Sequence, residues 1–204
     1  MASTITAKPP RRRLDPDARR LEILDAAERV LRRRSVETVR VEDVMREARA
    51  AKGTFYLYFA SWDDLLKALR ARIFARFDER FPPRTGAKSR ADWMKLVDTM
   101  AMGFIDYTLA LGGLHRAIFH GPPAATAGQD SATARIASLI EAGAKAGAFA
   151  KVDAETTVQL LFAMLHEAVD AIEAGQDRSR VLRTVRALLA RCLAADVQDR
   201  MGRG

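Results

Sequence analysis

Apolar positions recur at helical spacing along nearly the whole chain, and no strand alternation of useful length interrupts them. That pattern restricts the chain to an all-α fold. Asp15-Pro16-Asp17 opens the first helix: Asp15 is a capping residue type, Pro16 suits the first helical position, and Asp17 suits the positive end of the dipole. Ile23, Leu24, Ala27, Val30 and Leu31 follow on one stripe, and Arg32-Arg33-Arg34 close it. A second helix is expected over 41–48, with Glu42 and Asp43 in its first turn. Its cap is open between Thr38, chemically suited, and Arg40, poorly suited. Arg49-Ala50-Ala51 connects to a third helix over 52–59. Ser61 with Asp64 resembles a capping box for a fourth, whose stripe is Leu66, Leu69, Ile73, Phe77 and Phe81 and whose stop is Pro82-Pro83.

After a loop over 82–90, a helix over 91–111 is apolar nearly all round, which predicts a central position. Gly112-Gly113 ends it. A short helix over 114–120, a flexible stretch over 121–128 and a helix over 131–146 follow. The last two helices start at Asp153 and Asp177. Their stripes are Val158, Leu161, Phe162, Leu165, Val169, Ile172 and Val181, Val185, Leu188, Leu189, Cys192. About nine helices result. The expected organisation is a flexible basic tail (1–14), a three-helix helix-turn-helix domain (15–61) and a helical effector-binding and dimerisation domain (62–204).

Composition narrows the class. Of the 204 residues, 49% are hydrophobic and 29% charged, so a sizeable core and a soluble surface are both available. No apolar run reaches the ~18–20 residues of a membrane span, and residues 1–13 lack the apolar stretch of a secretory signal. Cys192 stands alone, so an internal disulfide and a cysteine-based zinc site are excluded. A cytoplasmic location is expected. The net charge is +8, and residues 1–60 carry 14 Lys/Arg against 9 Asp/Glu, a net of +5. The excess is concentrated in the first third, where it is either a solvated basic surface or a phosphate-facing end.

The spacing over residues 40–59 fits a helix-turn-helix, in which the second helix presents its N-terminal side chains to a major groove. Lys52 and Thr54 can reach bases or phosphates, Gly53 permits close backbone approach, Tyr56 and Tyr58 offer hydroxyls, and Phe55 and Phe59 form an inward face. These residues carry a family resemblance. Ile23-Leu24-Asp25-Ala26-Ala27, Val41-Glu42-Asp43-Val44, Lys52-Gly53-Thr54-Phe55-Tyr56-Leu57-Tyr58-Phe59 and Ser61 with Asp63-Asp64-Leu65-Leu66 resemble the tetracycline-repressor-type (TetR/AcrR) regulators over about residues 18–75. Arg40, Arg49, Lys52, Gly53, Thr54, Tyr56, Leu57 and Tyr58 are the candidate DNA contacts. The resemblance implies that Tyr56 touches phosphate and that Thr54 and Tyr58 face the groove.

The chain departs from the family in four places. Arg49 replaces the turn glycine, Ala51 the serine before the lysine, Arg40 the hydroxyl at the second helix start, and Trp62 a lysine. Losing the serine cap costs about 1 kcal/mol. Arg40 can bind a phosphate, and Trp62 either donates to one or packs on the fourth helix. Arg11-Arg12-Arg13 is a charged tail or a DNA-binding arm.

The resemblance also implies an effector pocket and a four-helix interface between two copies. Phe77, Trp93, Met100, Phe104, Tyr107, Phe119, Phe162 and His166 are the candidate pocket residues, though apolar patterning fits a plain core equally. The two C-terminal stripes are expected to bury against a second copy, with packing inside the chain as the alternative. His115 and His120 are five apart and share a helix face poorly, so no metal site is expected, and no cofactor. No residue spacing recommends catalysis. The leading expectation is a homodimeric repressor released from a palindromic operator by a hydrophobic small molecule, with no membrane partner. A partner-binding or non-specific DNA-organising protein and a small helical enzyme are the alternatives.

Overall fold

The computed structural model describes residues 15–82, 86–119 and 129–194. The tail with Arg11-Arg12-Arg13, Pro83, His120 and the stretch 121–128 lie outside the described residues. Among the described residues the chain is all-helical, with nine helices and no strand. They are α1 (Pro16–Arg33), α2 (Val41–Glu47), α3 (Lys52–Phe55), α4 (Trp62–Arg80), α5 (Arg90–Leu109), α6 (Gly113–Phe119), α7 (Gln129–Lys145), α8 (Ala154–Glu173) and α9 (Arg178–Cys192). No described helix is long and apolar enough to cross a membrane.

Side-chain caps set several of the starts. The Ser61 hydroxyl accepts from the Asp64 N–H at 3.1 Å, and the Asp64 carboxylate accepts from the Ala60 N–H at 3.0 Å. Asp153 and Asp177 each accept from the N–H three residues on, both at 2.7 Å. Ser89 and Asp92 form a reciprocal capping box that starts α5 at Arg90. Asp15 occupies the N-cap of α1 but makes no side-chain cap bond; Pro16 and Asp17 supply the other start signals.

Two buried clusters divide the chain. The first joins α1–α3, the inner face of α4 and α6 around Ile23, Leu31, Met45, Phe55, Phe59, Leu65 and Leu114. The second joins α4, α5 and α7–α9 around Phe77, Phe104, Ile105, Ile140, Phe162, Val169 and Val185. The helix α4 contributes to both, with Leu69 and Ile73 in the first and Phe74 and Phe77 in the second. Ion pairs hold α4 to α1: Arg72 to Asp25, and Arg76 to Glu28 at 2.9 Å, with Glu28 also bound by Arg32.

Two expectations about the larger cluster need correction. The helix α5 is not enclosed on all sides. It buries Val97, Ala101, Phe104, Ile105 and Thr108, while Asp98 and Asp106 pair with Arg186 and Arg178 of α9. These two acids mark the side of α5 that faces water and α9. Nor do the C-terminal stripes wait for a partner. Val158, Phe162, Leu165, Val169, Val181, Val185 and Leu189 are buried within the single chain, because α8 and α9 turn those faces toward α5 and α7. Leu160 and Leu188 remain exposed on these two helices.

Candidate functional site

The site at the small end of the molecule is built on α2, its turn and α3. Arg40 is the N-cap residue of α2; Thr38 does not cap, since its hydroxyl donates to the Ser35 carbonyl at 2.8 Å. A guanidinium cannot accept a bond from the helix N–H groups, so capping comes from the other direction. The Asp43 carboxylate accepts from the Arg40 backbone N–H at 3.0 Å. That bond, followed by Arg34, holds the Asp43 carboxyl below the usual carboxylate range. The Arg40 guanidinium donates to the Glu37 and Val39 carbonyls, at 2.7 and 3.0 Å.

The turn is a Schellman motif. The Ala50 N–H bonds the Met45 carbonyl at 2.9 Å and the Arg49 N–H bonds the Arg46 carbonyl at 3.1 Å. Arg49 sits at the left-handed position with φ 54°, the one such non-glycine among the described residues. Gly147 and Gly175 fill the equivalent positions after α7 and α8. Left-handed backbone costs an ordinary L-residue about 1–2 kcal/mol, so the turn holds strain that a glycine would remove.

The helix expected over 52–59 is a single α-turn, Lys52–Phe55, continued by turn residues 56–58. The Leu57 N–H and Tyr58 N–H reach back only three residues, to Thr54 and Phe55. This tightening follows from Phe55 and Phe59, both buried, whose ring centroids lie 5.6 Å apart. Arg20 covers the Phe59 ring at 5.0 Å. With the inner face pinned, the outer face is set: Lys52, Gly53, Tyr56 and Leu57 are exposed, and Leu57 is 79% exposed despite being apolar. Thr54 is half-buried beside them. Tyr58 is half-buried against the smaller core, as is Trp62, so the indole packs rather than projects.

A Cβ on Gly53 would meet nothing within 4 Å, so the glycine does not serve a close approach inside the chain. Its open side faces away from the protein. Ala51 makes no side-chain cap, as its residue type dictates. Glu42, in the first turn of α2, pairs with Lys52, Nζ to Oε1 at 2.5 Å. The pair lowers the Glu42 carboxyl and raises the Lys52 ammonium from their ordinary values. Beside this face, Arg49 and Thr54 help line an open cleft of about 870 Å³ between α1 and the turn.

The candidate effector residues fall into three groups. Phe77, Met100, Phe104 and Phe162 line an apolar cavity of about 50 Å³, together with Val97, Ile140, Leu165 and Leu193, which the sequence reading did not single out. That volume is far below the ~300–1,000 Å³ of a small-molecule site. Phe119 and His166 form an adjoining aromatic group, with ring centroids 4.3 Å apart, and Phe162 lies 4.8 Å from His166. Trp93 packs on Phe149 instead, and the Tyr107 hydroxyl donates to the Ile73 carbonyl at 3.2 Å, its ionisation pushed up by burial. Neither lines the cavity.

A short turn pinned by two phenylalanines, on a small domain joined by a shared helix to a larger all-helical one, is a helix-turn-helix arrangement. Residues 23–69 match the model of bacterial regulatory proteins, tetR family. Over that segment, 47 of its 204 residues, the chain is similar to the tetR family. No curated protein matches the chain. Solved structures with the same fold include the fatty acid degradation regulator FadR from Bacillus halodurans, 20% identical, with 87% of this chain and 96% of that chain covered and a TM-score of 0.69. RolR in complex with resorcinol is 16% identical, over 90% and 91% of the chains, with a TM-score of 0.68. The TetR-like regulator LfrR from Mycobacterium smegmatis, in complex with proflavine, is 20% identical, over 88% and 98%, with a TM-score of 0.58.

Proposed function

We propose that this chain is a homodimeric repressor that reads a palindromic operator through α3 and its turn and releases it when a hydrophobic small molecule enters the larger domain. The observation that carries the DNA reading is the outward set Lys52, Gly53, Tyr56 and Leu57 over a buried Phe55/Phe59 base. Lys52 and Tyr56 suit phosphate and base-edge contacts, Leu57 suits a thymine methyl, and bare Gly53 lets the duplex come close. Arg40 and Arg49 flank the set and suit phosphate oxygens. Thr54 and Tyr58 lie behind it and engage by side-chain rotation.

Leu160 and Leu188, exposed on α8 and α9, supply the apolar contact a second copy would cover. Two copies are needed because one reading head spans too few base pairs for useful specificity, and a two-fold pair reads a palindrome. The cavity bounded by Phe77, Met100, Phe104 and Phe162 is the effector's entry to the core. It is wholly apolar in its lining, so the ligand is hydrophobic, and at about 50 Å³ it must widen as the ligand enters. RolR and LfrR, solved with resorcinol and proflavine, bind planar aromatic molecules within the same fold.

Selection of binding sites from random duplexes, followed by a salt titration, tests this reading. A two-fold symmetric sequence is expected, lost in the Lys52→Ala, Tyr56→Ala double variant. Equal affinity of that variant for the selected site refutes the reading head. Sedimentation should give a dimer that Leu160→Arg with Leu188→Arg dissociates; a dimer that survives refutes the interface.

A further inference from the structure

The fold brings together a group of metal-ligating side chains away from the DNA-facing surface. His115 on α6 is fully buried, and its Nε2 lies 3.1 Å from Nδ1 of His166 on α8. The two imidazoles are nearly parallel, with an interplanar angle of 7°. The other nitrogen of His115, Nδ1, lies 3.8 Å from an Asp170 carboxylate oxygen. Glu173 completes the group, and one ligand atom from each of His115, Asp170 and Glu173 falls within 4.8 Å of the others. His166, Asp170 and Glu173 are spaced four and three apart, so one face of α8 carries all three.

We propose that His115, Asp170 and Glu173 bind a divalent first-row transition metal ion, with His166 as the residue that positions the His115 ring. In the tautomer that donates from Nε2 to His166, the Nδ1 lone pair of His115 is left on the Asp170 side and can bind a cation together with the two carboxylates. This is also the arrangement that orients a metal-bound histidine, whose second nitrogen is held by a neighbour. Bonds of about 2.0–2.2 Å from zinc to nitrogen and oxygen draw the donors closer than 4.8 Å, and rotation of the exposed Glu173 side chain supplies the movement. Glu173 and the partly exposed Asp170 also give the ion its path in from solvent. One imidazole with two carboxylates favours zinc, cobalt or nickel over magnesium, which prefers oxygen alone.

The site has a consequence for regulation, and that consequence rests on the DNA-binding reading while ion binding itself does not. The ion would fasten α6 to α8. The start of α6 is pressed on the end of α1, where a Cβ on Gly113 would stand 2.8 Å from the Leu31 carbonyl oxygen. Arg32 of α1 also donates to the Ala110 carbonyl at 2.8 Å, just before α6. A shift of α6 on metal binding is therefore passed to α1 and the reading domain.

The test uses the full chain, stripped with a chelator and titrated by calorimetry with zinc and, separately, with cobalt followed by its visible absorption. One ion per chain and a cobalt spectrum altered by protein ligands are expected. Asp170→Asn and Glu173→Gln keep shape and lie partly or fully at the surface, so they spare the core that His115→Ala would hollow; each should weaken binding more than about tenfold. His166→Phe should weaken it less than the ligand variants while still changing the cobalt spectrum. Glu141→Gln, on exposed α7, should change nothing. Absence of saturable binding, magnesium bound as tightly as zinc, or affinity unchanged in both carboxylate variants overturns the site. Zinc that binds as expected but leaves operator affinity unaltered overturns only the coupling to DNA.

Discussion

Replacing Phe162 by Ala removes the ring at the centre of the larger cluster, where it meets Phe104 at 4.9 Å, Phe74 at 5.9 Å and His166 at 4.8 Å. Phe162 is 5% exposed, so nearly all its apolar surface is lost from the core. A buried Phe→Ala change costs about 3–5 kcal/mol. Of a central ~4 kcal/mol, transfer of the ring accounts for roughly 2.3. The remaining ~1.7, at ~24 cal/mol per Å³, corresponds to about 70 Å³ of new void. Joined to the existing cavity of about 50 Å³, this makes ~120 Å³, near the ~150 Å³ apolar cavity that admits benzene in a well-studied lysozyme variant. Urea unfolding of Phe162→Ala is therefore expected to show a loss of about 4 kcal/mol and a melting temperature lower by roughly 8–16 °C. Saturating benzene or toluene should restore part of it, since a ligand that binds only the folded state stabilises it. A loss under about 1 kcal/mol, or no recovery with benzene, would refute the premise that this region is packed core with a small apolar void.

Arg49→Gly should raise stability by about 0.5–1 kcal/mol, because relief of the left-handed strain exceeds the extra unfolded-state freedom of glycine. The same change should lower operator affinity and reduce the salt slope by ~0.9; a variant both less stable and equally tight would remove Arg49 from the proposed clamp. Glu42→Gln frees Lys52 from its ion pair and takes a negative charge from the DNA face. Fluorescence anisotropy should show tighter binding with a steeper salt dependence, and unchanged binding would argue that Lys52 does not face the duplex. Asp43, Asp92 and Asp153 have carboxyls held below the usual range, by the Arg40 backbone N–H, the Ser89 hydroxyl and Thr156 respectively. Their folded-state values are depressed, so their stabilisation is full above the ordinary carboxylate pKa of ~3.9 and is lost as pH falls through the lower folded values. Unfolding midpoints from pH 6 to pH 3 should fall less steeply in Asp92→Asn and Asp153→Asn than in the parent; parallel curves would contradict the assignment.

The helices were legible because their signals are local. Ser61, Asp153 and Asp177 cap where capping chemistry places them, and Gly175 ends α8 where a left-handed residue is needed. The length of α3 was not legible. Tyr56-Leu57-Tyr58 continues a helical pattern, and only the packing of Phe55 and Phe59 beneath it tightens the last turn. The direction of the C-terminal stripes was open for a similar reason: an apolar stripe says that a face is buried, not what covers it.

The histidines show the same division. Judged along one helix, His115 and His120 are badly spaced for a metal, and that comparison missed the useful one. His166, Asp170 and Glu173 share a helical face, a spacing visible in the sequence, but His115 is 51 residues away from His166 in the chain and meets it only through the packing of α6 on α8. What the sequence by itself determined was the set of helices and the position of the helix-turn-helix motif, since each depends on neighbours within a few residues; it expected Thr54 and Tyr58 to face outward, and packing half-buries both. The tertiary structure decided that Lys52 is paired with Glu42, that most of the expected effector pocket is closed to about 50 Å³, and that a histidine and two carboxylates converge. Those facts depend on how separate helices are packed, and packing is fixed by the whole core at once.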